Sequence, residues 1–136
     1  MLVGAALGIG FAAAIVIVVE ALLAYPRLPA RVPLHFNFRG EPGRPAPKLL
    51  FFSIFVALAI VLLAFTVTKV LHGAPSAREA QAGAVVDAAT LILMAYVQHL
   101  IIGTVERPKK RLAVRPFWTA IFAFLAAVTA VSAVAR

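Results

Sequence analysis

The sequence predicts an all-α membrane protein, a four-helix bundle with a proline-rich capping loop between its first and second helices. Composition is the first observation: the 136 residues are 63% hydrophobic and 13% charged, with a mean hydropathy of +1.01. Soluble domains are about 45 to 50% apolar and about 25% charged. The second is spacing: four apolar stretches, residues 2–24, 49–71, 82–103 and 117–135, have the length of about 20 residues that crosses a hydrocarbon core about 30 Å thick. Lipid offers no partner to the backbone, so runs of Ala, Leu, Val and Ile must satisfy their own amides as helices. The third is the one long polar interval, residues 25–48, which holds six of the nine prolines (Pro26, Pro29, Pro33, Pro42, Pro45 and Pro47). The whole reads as one integral membrane domain.

The first span is expected to remain as a transmembrane helix, because the first basic residue of the sequence is Arg27 and a signal peptide would carry a basic n-region. Gly4, Gly8 and Ala12 recur every four residues, a small-residue face suited to close helix packing. Glu20 is the span's ionisable residue, five positions before Tyr25 and about 7 Å from the helix end. Two readings stay open there, an interfacial charge solvated or paired with arginine, and a functional carboxylate.

The prolines of residues 25–48 fix φ and remove amide donors, so the interval is non-helical, with residues 32–38 suited to a short extended piece. Alternation in an extended run sets His35 and Asn37 on one side and Leu34, Phe36 and Phe38 on the other. Gly40 and Pro42-Gly43 supply turns. An amphipathic cap over one end of the bundle follows, with His35 and Asn37 as its expected contact residues.

In the second span Ser53, Ala57 and Ala64 fall on one face, an expected packing seam. Thr66, Thr68 and Lys69 mark its exit. Pro75-Ser76 with Glu79 three residues on has the form of a helix start. The third span carries the most polar stripe, Asp87, Thr90, Met94 and Gln98 with His99 beside it, and such a stripe faces the bundle interior or a water-filled cavity. The loop at residues 106–115 is basic, and Phe117-Trp118 stands where an interfacial aromatic anchor belongs. Ala123, Ala127 and Ala130 form another small-residue face.

With four spans, the first and third loops share a side. They carry Arg27, Arg31, Arg39, Arg44, Lys48, Arg107, Lys109, Lys110, Arg111 and Arg115, leaving Lys69, Arg78 and Arg136 for the other. The positive-inside rule then puts the proline-rich loop in the cytoplasm. The same side gathers Glu20, Gln98 and His99 with His35, Asn37, Glu41 and Glu106, residues expected to meet in one polar pocket beneath the cap.

Absent chemistry narrows the function. There is no cysteine, hence no disulfide, thiolate nucleophile or Cys-based metal site. Two lone histidines with Glu20 lack the paired spacing of a metal motif, and no phosphate-binding glycine loop, GxSxG or triad is present. Neither cofactor nor enzymatic activity is expected. The net charge of +8 lies in short loops between apolar spans, which suits anionic lipid headgroups and not nucleic acid.

Residues 25–48, YPRLPARVPLHFNFRGEPGRPAPK, resemble the signature of a bacterial membrane-protein family of unknown function, whose domain also begins the SdpI-type immunity proteins. Tyr25, Leu28, Pro29, Val32, Pro33, His35, Phe36, Asn37, Gly40, Glu41, Pro42 and Lys48 carry the likeness. Relatives commonly continue with Asp, an aromatic residue and Gly-Ser, where this chain has Gly43, Pro45 and Ala46-Pro47. Residues 115–119, RPFWT, are similar to a stretch of the immunity branch. The resemblance implies a multi-pass protein of the bacterial cytoplasmic membrane, one branch of which confers immunity to a secreted peptide toxin and signals its presence. Many relatives have a basic N-terminus, which implies an external loop, opposite to the charge count.

Three functions are consistent with these features. The first is a non-enzymatic binding, sensing or immunity-type module that receives a peptide, a lipid headgroup or a partner helix at the loop. The second is a small oligomeric ion-coupled transporter using Glu20 or Asp87. The third is an accessory subunit of a larger membrane complex, with the small-residue faces as its contacts.

Overall fold

The computed structural model describes residues 2–73, 76–107 and 112–135. Its elements are α1 (Leu2–Ala24), β1 (Arg31–Pro33), β2 (Pro45–Pro47), α2 (Lys48–His72), α3 (Ala77–Val105) and α4 (Val114–Ala135). All four helices are long and apolar enough to cross a membrane. The chain is an integral multi-pass membrane protein.

Two helix starts lie upstream of the expected spans. Ser76 caps α3, its Oγ accepting from the Glu79 N–H at 3.1 Å, so the helix takes in polar residues from Ala77 onward before the apolar run begins. Pro75, the other half of that start signal, lies outside the described residues. In α4, Pro116 is the third residue, within the first turn, where a missing N–H costs nothing.

α1 and α3 run parallel, since Ala6 packs with Ala84 and Ala88 near one end and Gln98 bonds the Ile17 carbonyl near the other. α2 runs antiparallel beside them, Thr66 reaching Asp87 and Ala59 packing with Leu91. The face of α1 that packs is Ala6, Gly10, Ala13, Ala14, Ile17, Ala21 and Ala24. A Cβ at Gly10 would lie 3.4 Å from Leu91 Cδ1 and 3.9 Å from the Ala88 Cα, so glycine there admits the α3 backbone closely.

Three expected small-residue seams are corrected. Gly4, Gly8 and Ala12 are exposed, and nothing lies within 4 Å of a Cβ built on either glycine. The working pattern is Ala6, Gly10 and Ala14, two residues out of phase with the expected one. Ser53, Ala57 and Ala64 also face outward, because Phe51, Phe52, Ala59 and Thr66 form the buried side of α2 and the large rings fill the space between helices. Ala123, Ala127 and Ala130 are exposed too. α4 packs on α3 alone among the well-contacted elements and none of its described residues is buried. The outward Leu22, at 70% exposed, and Phe122, at 64%, suit lipid tails as solvent.

Between α1 and α2 the chain forms a β-hairpin in a single register. Arg31 faces Pro47, Val32 faces Ala46 and Pro33 faces Pro45, Phe36 bridges Pro42, and Asn37 N–H donates to the Glu41 carbonyl at 3.0 Å. Regular strand is limited to three residues a side, because Pro33 and Pro45 face each other and neither has an N–H to give. Val32 is fully buried, and Leu28 and Val32 join Phe51, Phe52, Ile101, Ile102 and Val105 in one cluster, with Leu34 and Phe36 against it. The hairpin is therefore the cap that closes one end of the bundle.

Candidate functional site

Contacts at its base and at its tip fix the cap. At its base, Lys48 Nζ donates to the carbonyls of Tyr25 at 2.7 Å and Leu28 at 3.2 Å and lies 4.3 Å over the Tyr25 ring. These are carbonyls just past the end of α1, which lack intrahelical partners and carry partial negative charge. At the tip, Asn37 Oδ1 accepts from the N–H groups of Arg39 and Glu41, each at 2.9 Å, and Asn37 Nδ2 donates to Glu41 Oε2 at 2.7 Å. Gly40 N–H closes the turn on the Asn37 carbonyl at 2.9 Å.

Gly40 then docks the tip. Its φ is 75°, a region that glycine enters at no steric cost, and its carbonyl accepts from Leu112 N–H at 2.9 Å. A Cβ here would lie 2.5 Å from the Leu112 oxygen and 2.8 Å from Val114 Cγ2. Gly43 has a different role, since the His35 ring lies where its Cβ would be. His35 is exposed, held by the hairpin pairing in which Gly43 N–H donates to the His35 carbonyl at 2.9 Å.

Alternation predicts an inward Phe38, and the structure corrects this: Phe38 is 83% exposed and stacks on Trp118 at 5.7 Å with the rings within 6° of parallel. The Asn37-to-Gly40 turn ends the period-2 pattern one residue earlier. Asn at the first position and Gly at the fourth is a turn signature, and NFRG at residues 37–40 was the signal that could have placed this ring. Around the cap Arg31, Arg39, Arg44 and Arg115 are exposed with no acidic partner among the described residues. Arg27 approaches Glu106 at 3.6 Å. Lys109, Lys110 and Arg111, the centre of the basic third loop, lie outside the described residues.

Beneath the cap, His99 Nδ1 and Glu20 Oε1 are 2.6 Å apart. Glu20 is thus paired with histidine, where the sequence offered arginine or solvent. Its side chain is 19% exposed against 71% for His99, so the carboxylate is the inner partner. Next to His99 along α3, Gln98 is fully buried and its Nε2 donates to the Ile17 carbonyl at 2.9 Å, a side-chain bond between α1 and α3 worth about 0.6 kcal/mol in a membrane. Glu20 Oε2 and Gln98 Oε1 are buried without a donor among the described residues.

The expected single pocket is therefore two groups. No hydrogen bond among the described residues joins His35 or Asn37 to Glu20, Gln98 or His99, and no three His, Asp or Glu side chains converge there. The stripe on α3 is divided as well. Asp87 is buried against α2, accepting from Thr66 Oγ1 at 2.7 Å with Lys69 Nζ at 3.8 Å. Thr90 Oγ1 donates back to the Val86 carbonyl at 2.8 Å, and Met94 packs on the apolar cluster of Ala13, Ile17, Ala59 and Leu91.

Residues 11–62 match a domain family described as a domain of unknown function, DUF1648. The match runs from α1 through the hairpin into α2, so its centre is the cap and the two helices that hold it. No curated protein and no solved structure matches the chain.

Proposed function

We propose that this membrane protein is a non-enzymatic binding module whose ligand-facing surface is the outer side of the hairpin cap. One observation carries the reading: the fold uses Asn37, Gly40, Gly43 and Lys48 to hold the hairpin and leaves His35, Phe38, Arg31, Arg39 and Arg44 exposed upon it. A loop fixed at base and tip loses little entropy on binding. Guanidinium groups beside stacked rings favour an anionic partner with an apolar portion, through bidentate bonds to carboxylate or phosphate. A peptide is the ligand in the immunity-type reading, which the sequence resemblance supports. An external cap suits a secreted peptide, and a cytoplasmic cap suits a segment of a partner protein.

A photoreactive phenylalanine at Phe38 tests the proposal in intact cells of a bacterial host. The expected result is a discrete crosslinked species that Arg39→Ala with Arg44→Ala removes. Adducts no different from those formed at the lipid-facing Ile60, itself 60% exposed, would overturn it.

A second reading, an ion-coupled transporter, draws on two carboxylates within the spans, Glu20 and Asp87. Its support is weaker, because the apolar cluster of Ala13, Ala14, Ile17, Ala59 and Leu91 lies between their levels in the bundle. Proteoliposomes containing Glu20→Gln or Asp87→Asn are expected to match the native protein in proton flux, and carboxylate-dependent flux would favour transport.

A further inference from the structure

A groove opens on the end of the bundle opposite the cap, between the start of α1, the start of α3 and the end of α4. It encloses about 490 Å³, with Ala82, Val85, Ala130 and Val131 as apolar walls and Arg78 and Gln81 at its mouth. We propose that it binds an anionic phospholipid, with an acyl chain between α3 and α4 and the phosphate at Arg78.

Polarity along α3 carries the assignment. From Arg78 to Val85 is seven residues, about 10 Å of helix, and over that distance the lining passes from guanidinium through amide to aliphatic. That is the sequence of environments that a lipid presents from headgroup to tail. Arg78 is exposed and has no acidic partner among the described residues, whereas Lys69, the other described Lys or Arg at this end, is turned toward Asp87. An unpaired guanidinium at the rim of an apolar groove complements a phosphate diester in charge and geometry. No described residue of α4 is buried where it meets α3, and within a bilayer an acyl chain supplies contacts to its open apolar side.

Native mass spectrometry of the full chain in mild detergent tests this, with phosphatidylglycerol and phosphatidylcholine of the same acyl chains as probes. Phosphatidylglycerol is expected to be retained preferentially, and Arg78→Gln to lower its affinity about fivefold, the ~1 kcal/mol that one basic residue contributes near anionic lipid. Ala82→Trp, which fills the groove, is expected to reduce retention of both lipids. Arg78→Gln alters only an exposed side chain and carries the test alone if Ala82→Trp does not fold. Equal retention of the two lipids, or undiminished phosphatidylglycerol on Arg78→Gln, would overturn the assignment. So would a dimer that Ala82→Trp dissociates without loss of lipid, which would place a second copy of the chain in the groove.

Discussion

Replacing Gly40 by alanine strikes the point where the cap is fastened to the fourth helix. The φ of 75° costs a residue with a Cβ about 1 to 2 kcal/mol. The new methyl would also stand 2.5 Å from the Leu112 oxygen and 2.8 Å from Val114 Cγ2, closer than real contacts allow, so the segment entering α4 must retreat. That retreat breaks the Leu112 N–H bond to the Gly40 carbonyl, a further loss of about 0.5 to 1.5 kcal/mol. The sum is about 1.5 to 3.5 kcal/mol. Gly43→Ala is the control, because the obstacle there is the exposed ring of His35, which can swing aside, and the expected cost is under about 1 kcal/mol. Denaturant titration of the purified protein in mild detergent measures both. Trp118 is the sole tryptophan and stacks on Phe38 at the same joint, so its fluorescence reports undocking of the tip directly. Gly40→Ala should shift that emission and Gly43→Ala should not. Equal losses for the two variants with unchanged Trp118 emission would refute the docking argument.

Further predictions concern the bundle. Gly10→Leu should destabilise by about 1 to 3 kcal/mol through overpacking against Leu91 and Ala88, and Gly8→Leu should cost almost nothing, as unfolding in detergent would register. A double-mutant cycle of Thr66→Val and Asp87→Ala should give a coupling of about 0.6 to 1.7 kcal/mol, the range for hydrogen bonds between membrane helices. Gln98→Leu should leave stability within about 1 kcal/mol of native, because it removes an unpartnered buried oxygen along with the bond to Ile17. A much larger loss in the same unfolding assay would reveal a partner for Gln98 Oε1.

The four spans, the cap and the Ser76 helix start were legible because hydropathy, proline content and capping chemistry are local properties. Which face of each helix packs was not, since α1 is apolar all round and small residues recur on several of its faces. Only contact with Leu91 and Ala88 distinguishes Gly10 from Gly4 and Gly8. Likewise Asn37 was legible as a notable residue of the loop, but its use within the turn depends on where the hairpin reverses. The Glu20–His99 and Thr66–Asp87 pairs join residues far apart in sequence, and no local pattern announces them. Phe38 failed for the simplest reason, that strand alternation was extended one residue into the turn.

Single cysteines at Phe38 and Ser76 test the architecture most directly, because the chain has none of its own and both positions are exposed. A membrane-impermeant maleimide applied to intact cells should label one of the two, and label the other only after permeabilisation. Which one reacts first states whether the cap faces the cytoplasm or the outside. Labelling of both positions from the same side would contradict the four-span bundle with a cap at one end.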